Sequence, residues 1–439
     1  MKQDISVAYS NDEKIKKTLR VSFLDGVFAS GMVGFTQDYF TPFLLMLGGS
    51  VRQVGILSAL TNFFASVTQL KSVDFTVQAR SRRKIINSFV FLQALMLLPL
   101  VYLALKCSAS IAVYIGIVVL FASFNAMAFP AWSSLMSDLV AVERRGEYFG
   151  WRNKTLGLIT VACGFIAGFI LYRMQKINLC YGFAIIFGCA FVFRLISCYF
   201  LTRMHEPALT HNKENQFTLI MFISRLKESN FAKFVLFVAL MNFSVNLAAP
   251  FFPVLMLEDF HFSYALYAVL TVTSTLTICL MMTRWGRHAD RIGNLKIVKF
   301  TAPLIGFIPL LWIVNQHPLF LLFAQIFSGF AWAGFNLCAS NFIYDAVSPE
   351  KRTRCIAYFN LFNGLALALG GFLGGFLVHR LPFLFGYQIL SLLLISSLLR
   401  IAFGFLVPAQ LKEVRPVENI SNKDLFLSII GIRPMPSMG

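Results

Sequence analysis

The chain has 439 residues, 57% of them hydrophobic and 13% charged, with 48 phenylalanines and a formal net charge of +18. A composition this apolar, with a mean hydropathy of +0.71, excludes an ordinary soluble domain. The positive charge then points to nucleic acid or to a membrane surface according to where the basic residues fall.

Apolar runs of about 20 residues, the length that crosses a hydrocarbon core of about 30 Å, recur from end to end. They predict twelve spans, at 21–44, 52–73, 85–105, 109–136, 148–172, 179–202, 231–257, 264–285, 297–315, 318–343, 355–379 and 384–407. Lipid offers no water to unpaired backbone groups and the alternating strands of a barrel are absent, so the spans are expected to be helices. A charged tail (1–20) precedes them, a polar segment (204–230) divides them into bundles over 21–203 and 231–407, and a tail (408–439) follows. With the N-terminus in the cytoplasm, that side carries 31 Lys and Arg against five opposite, while Arg194 and Arg400 lie inside spans. This asymmetry assigns the charge to membrane orientation rather than nucleic acid and puts both termini in the cytoplasm. No cleavable signal is read at the start, so the first span serves as its own insertion signal.

The eight cysteines fall in or beside spans without metal-ligand spacing and read as small apolar packing residues. No phosphate-binding loop, nucleophile elbow or zinc-protease motif occurs, so neither an ATP-driven pump nor a common hydrolase has support. No cofactor or metal is expected.

The chain repeats itself. "SDLVAVERRGEYFGWRNKTLGLITVACGFIAGFI" (137–170) aligns without a gap on "YDAVSPEKRTRCIAYFNLFNGLALALGGFLGGFL" (344–377) at an offset of 207. Asp138 faces Asp345, Glu143 faces Glu350 and Arg145 faces Arg352. Arg194 meets Arg400 at an offset of 206, and "QARSRRK" meets "DRIGNLK" at 212. Two pseudo-symmetric six-helix bundles follow, an architecture of secondary transporters.

"GRHADRIGNLK" (286–296) resembles the signature loop that the major facilitator superfamily places after its second and eighth helices. Gly286, Asp290, Arg291, Gly293 and Lys296 fill the pattern, and Asn294 stands at a normally basic place. The glycines suit a tight turn, and the aspartate suits neighbouring helix dipoles and arginines. The resemblance implies a network closing the cytoplasmic side, with Asp138, Glu143, Arg144, Arg145, Asp345, Glu350 and Arg352 as further members. The first half departs from the pattern: Gln78 takes the aspartate place, Asp74 and Ser81 take the glycine places, and only Arg80, Arg82, Arg83 and Lys84 remain, enough for orientation but not for the same ion pair. The fourth span lacks the arginine of drug and sugar carriers and the fifth lacks the Gly-Pro element of drug/proton antiporters, which counts against a multidrug antiporter.

A polar residue confined to one half is freer to serve an asymmetric ligand. Arg194 and Arg400 occur in both halves and read as structural, snorkelling or binding carbonyls. Asp25, Gln37 and Asp38 face Leu236, Ala248 and Ala249 and pass the filter. Asp38 shares a helix face with Gly31 and Gly34, open either to a cavity or to a neighbouring backbone. It is the first candidate to load and release a proton, the alternative being a pairing with a nearby donor; Asp25 reads as part of the latch or an N-terminal contact, and is the second proton candidate. Asn242 and Asn246 share a face before Pro250 and Pro253, which break the seventh span. Asn125, Asn336, Trp132 and Trp332 complete the cavity candidates, the asparagines equally able to bond between helices. With no midplane arginine or lysine unique to one half, a strongly anionic substrate is not expected.

The sequence therefore predicts an all-α, twelve-helix membrane protein, not an enzyme, expected as a monomer in a bacterial inner membrane. It would move a small organic solute by alternating access with protons. An ion-independent facilitator or an efflux carrier of amphipathic compounds is the alternative, and a membrane-embedded enzyme or sensor is remote. The terminal "DLFLSIIGIRPMP" either lies on the inner membrane surface or stays disordered.

Overall fold

A computed structural model describes residues 13–79, 81–140, 145–206, 229–347, 349–414, 420–429 and 431–432. Its helices are α1 (Glu13–Thr36), α2 (Val51–Ala79), α3 (Arg82–Lys106), α4 (Ile111–Leu139), α5 (Arg145–Met174), α6 (Leu179–Thr202), α7 (Asn230–Asn246), α8 (Tyr264–Ile292), α9 (Asn294–Val314), α10 (Pro318–Ala346), α11 (Pro349–Leu377), α12 (Gln388–Leu406) and the short α13 (Asn422–Ile429). Among the described residues, the β-type pairing is limited to one isolated bridge, Leu384 to Tyr387. By length and composition α3 to α12 can each cross a membrane. The more charged α1 and α2 stand where the first two spans are predicted.

Several helices outrun their apolar segments. α1 starts at Glu13 rather than at 21, because "EKIKKTLR" is rich in good helix formers that hydropathy does not register. Starts are fixed locally: the Ser81 hydroxyl accepts from the Lys84 amide, the Asn178 side chain from the Cys180 amide, and Pro318 opens α10.

Two compact units divide the chain. The first comprises α1 to α6 together with Pro250–Val272, and the second the rest of the helical chain. Within the first, α1 packs on α5 and α6, and α3 on α4 and α6; within the second, α7 packs on α11 and α12, and α9 on α10 and α12. The same partnership recurs, as the internal repeat requires. Close approach is steric: a Cβ on Gly34 would stand 2.5 Å from the Thr160 carbonyl oxygen, and one on Gly370 would strike the Phe243 carbonyl oxygen.

Two helices are interrupted. After Thr36, residues Gln37–Tyr39 form a 3-10 turn before the helix resumes over Phe40–Met46. α7 ends at Asn246, and a 3-10 turn (Ala249–Phe251) and a π turn (Leu255–Asp259) follow, as expected where Pro250 and Pro253 remove donors.

Cys107 and Cys180 correct the reading of all cysteines as packing residues. They form a disulfide with a Cα–Cα separation of 5.6 Å, between the α3–α4 loop and the start of α6, on the Lys/Arg-poor side. The other six are free and buried or half-buried. Sequence spacing hides the pair because 73 residues separate its members. Cys107→Ser is expected to leave Cys180 reactive towards a membrane-impermeant maleimide added outside intact cells, with the unsubstituted protein unreactive. Labelling of the unsubstituted protein would show the pair reduced.

Over 422–429 the C-terminal segment is ordered as α13 and packs on the second unit. α13 buries Leu425 and Ile429 in the core of the second unit, with Phe426 edge-on to Phe330. Ser428 meets His288 Nε2 at 3.0 Å, while His288 Nδ1 lies 2.8 Å from the Arg284 carbonyl oxygen.

Candidate functional site

In the first unit, the interruption of α1 sets the polar residues. An α-helix would keep Asp38 on the face of Gly34, but the tighter 3-10 turn rotates it away. Gly31 and Gly34 are therefore buried against Phe193 and the α5 backbone, so that face is packing surface rather than a cavity wall. The Gln37 and Asp38 side chains stand exposed. The Tyr267 hydroxyl donates to the Asp38 carbonyl oxygen at 2.5 Å, one of the acceptors freed by the break, and the Tyr39 hydroxyl donates to the Gly164 carbonyl oxygen at 2.5 Å. The two tyrosine rings meet edge to face at 6.1 Å. Tyr267 carries no motif, and its role was invisible in the sequence.

Asp25 lies about 20 Å from Asp38 at about 1.5 Å per helical residue, so the structure does not bring the two carboxylates together. Asp25 is 4% exposed, in the middle of α1. Its Oδ1 accepts from Ser197 Oγ at 2.6 Å, and Arg194 donates to Ser197 at 3.2 Å and to Gln93 Oε1 from Nε (2.8 Å) and Nη2 (2.5 Å). Arg194 thus does not snorkel; it is spent inside the bundle. Arg400 is likewise buried, donating to the Val245 carbonyl oxygen at 3.2 Å. Close to Asp25 lies Arg152, its guanidinium 4.7 Å from the centroid of Trp132. Counted from the sequence as one more cytoplasmic charge, Arg152 is instead 7% exposed, one turn inside the α5 span. Its proximity to the orienting cluster Arg144, Arg145 and Lys154 disguised it. Asn125, on the same helix as Trp132, has an exposed side chain.

In the second unit, Asn242 and Asn246 bond between helices. Asn242 Nδ2 donates to Asn363 Oδ1 at 3.2 Å and Asn246 Nδ2 to the Leu367 carbonyl oxygen at 2.6 Å, tying α7 to α11. Trp332 is half-buried against Phe335, while Asn336 is exposed one turn further along.

The Lys/Arg-rich ends of the two units carry a matched pair of clasps. In the second unit, Gly293 adopts φ +86° between α8 and α9, the left-handed turn that glycine permits. Asn294 Nδ2 donates to Asp345 Oδ2 at 2.7 Å, and the Leu295 amide to Glu413 Oε2 at 2.8 Å. Gly286, expected in the turn, sits instead within α8, where a Cβ would be in ordinary contact with Leu337. Asp290 is exposed, and Arg291 and Lys296 are half-buried. In the first unit, Arg82 Nη1 pairs with Asp138 Oδ2 at 2.5 Å, and Glu206 accepts from the Ser81 hydroxyl and the Arg82 amide, each at 2.6 Å. Arg82 and Asn294 are repeat partners, as are Asp138 and Asp345, and Glu206 and Glu413. This corrects the expectation that the first half cannot form such an ion pair: the basic place that Asn294 leaves empty is filled by Arg82. Glu143 and Arg144 lie outside the described residues, as do the side chains of Arg145, Glu350 and Arg352.

The described residues hold no group of three or more His, Cys, Asp or Glu suited to a metal. Among curated proteins no relative matches the chain. Solved structures that share its fold include the nucleoside transporter NupG (13% identity, TM-score 0.66, 91% of this chain and 100% of that one), a bacterial homolog of the human lysosomal transporter Spinster (13%, 0.66, 91% and 98%) and the human organic anion transporter MFSD10 (14%, 0.60, 90% and 100%). The sequence profile of the Major Facilitator Superfamily matches residues 26–245 and 233–435, so that both halves are covered. With two repeated bundles of apolar helices beneath that match, the protein belongs to the Major Facilitator Superfamily and is a membrane transporter.

Proposed function

We propose that the protein is a secondary active carrier that moves a small organic solute by alternating access and couples that movement to protons. The observation that carries this reading is the exposed carboxylate of Asp38 at the interruption of α1, in a half-specific position. Interrupted helices near the substrate path are how transporters present backbone carbonyls and side chains to a solute without breaking the rule that lipid-facing backbone stays paired. Asp38 is assigned the proton, and Gln37, Asn125, Trp132, Trp332 and Asn336 are assigned to the solute path. Asn242 and Asn246 set the α7–α11 spacing beside it. The clasps built on Arg82 with Asp138 and on Asn294 with Asp345 are assigned to holding the cytoplasmic ends, Asp290, Arg291, Gly293 and Lys296 completing the second. Charge placement supports a cytoplasmic membrane with both termini inside, and a monomer suffices.

The test is uptake into proteoliposomes loaded with a pH-sensitive dye, with pools of radiolabelled metabolites added in turn. A pool that enters together with protons supports the proposal. Solute entry without protons assigns an ion-independent facilitator, and no entry by any pool refutes solute transport.

A further inference from the structure

The two halves differ most sharply around Arg152. Gly26, Trp132 and Arg152 have as repeat partners Phe237, Ala339 and Phe359. In the second unit those residues are plain apolar packing: Phe237 and Ala339 belong to the buried core and Phe359 packs on it. In the first unit the same place holds a guanidinium, an indole and an absent side chain. Gly26 makes the room, since a Cβ there would stand 2.6 Å from Arg152 Nη2.

The guanidinium is under-used. It carries five N–H donors; among the described residues Nη2 reaches the Ser22 carbonyl oxygen at a long 3.3 Å, the Tyr148 hydroxyl is a further hydrogen-bonding neighbour, and the buried Nε has no hydrogen-bond partner. Tyr148 and Asp25 stand close by, but Asp25 already accepts from Ser197 and shares its charge with Arg194. Among the described residues, one carboxylate thus stands against two arginines in a buried cluster, an imbalance that an anion would complete. Arg194, with Nε, Nη1 and Nη2 all bonded, has little left to offer. Beside Arg152, the half-buried Trp132 ring is stacked on Phe129, which is 53% exposed, so an aromatic platform extends outward from the charge.

We propose that Arg152 binds an oxyanion, a carboxylate or phosphate carried on a small organic body whose flat apolar part lies along Trp132 and Phe129; this deepens the solute-transport reading and rests on it. An arginine fork matches two oxygens of such a group, and its stacking on an indole fixes the plane in which it presents them. The inference replaces the expectation that a strongly anionic substrate does not bind, which counted Arg152 with the charges outside the spans.

The test uses purified full-length protein in uncharged detergent, with cinnamate and phenyl phosphate as probes and cinnamide and benzyl alcohol as neutral counterparts, read by calorimetry. The anions are expected to bind about tenfold to a hundredfold more tightly than their counterparts, the range for a hydrogen bond to a charged group. Arg152→Gln is expected to erase that preference while leaving cinnamide binding unchanged. Arg152→Lys, which keeps the charge and serves if the glutamine variant fails to fold, is expected to retain a reduced preference. Equal binding of anions and counterparts, no binding of either anion at millimolar concentration, or a preference that survives Arg152→Gln would each overturn the assignment. Phosphatidylglycerol titrated into the micelles separates a free solute from a lipid: if that lipid alone gives Arg152-dependent binding, the site holds a headgroup and the solute assignment falls. Radiolabelled cinnamate distinguishes the two readings, because Arg152-dependent binding without uptake removes transport and keeps the site, whereas uptake of cinnamide without any charge preference does the reverse.

Discussion

Asp38→Asn is expected to abolish solute-driven proton movement while leaving solute exchange across the membrane in place. Asparagine keeps the size of the side chain and its place at the 3-10 turn, so the backbone bond from Tyr267 to the Asp38 carbonyl survives and only ionisation is lost. In proteoliposomes, the dye signal should fall to background and counterflow of a preloaded solute should persist. A contrast sharpens the result: Tyr267→Phe removes the hydroxyl that holds the Asp38 backbone but leaves the carboxyl, and is expected to slow transport with coupling intact. Proton flux that survives Asp38→Asn would take Asp38 out of the mechanism and leave Asp25 as the next candidate, now inside a network of known composition.

That network carries the second large effect. Asp25→Leu removes the only carboxylate that the described contacts place among Arg152, Arg194 and Ser197, leaving two guanidinium groups in a buried space. Breaking one side of a buried charge pair typically costs about 3–5 kcal/mol. The unfolding midpoint of the detergent-solubilised protein should fall accordingly, with less folded protein recovered from membranes. Adding Arg194→Met to Asp25→Leu should restore part of the loss, because the second substitution removes one of the stranded charges and replaces it by apolar volume. If the double variant loses the sum of the two single losses, the residues are not coupled and the network does not act as a unit.

Much of the fold was legible because lipid makes its demands in sequence. Apolar length gave the helices, Pro250 and Pro253 gave the interruption of α7, and the offset of 207 gave the repeated packing of α5 and α11 against α1 and α7. The break in α1 was not legible, since no proline or glycine stands in Gln37–Asp38–Tyr39 and the 3-10 turn is fixed by tertiary bonds from Tyr39 and Tyr267. At the clasps, the motif in the second half was plain, yet its equivalent was discounted in the first because the signature aspartate and glycines are missing there, while the basic residue Arg82 stands at the place of Asn294 and pairs with Asp138. Arg152 shows a different blind spot. A positive residue near a span end reads as a topology signal, and only three-dimensional burial separates one that orients the helix from one held among other side chains. Cys107 and Cys180 are ordinary in sequence and become a pair only when α3 and α6 lie side by side.

α13 has a consequence for how the molecule is made. Leu425 and Ile429 complete the core of the second unit, and Ser428 reaches His288 beside the signature loop. Leu425 and Ile429 follow every membrane-spanning helix of the second unit in chain order, so its core closes only once α12 is in place and α13 can fold back on it; without them that unit would keep an uncovered apolar surface where a protease could find it.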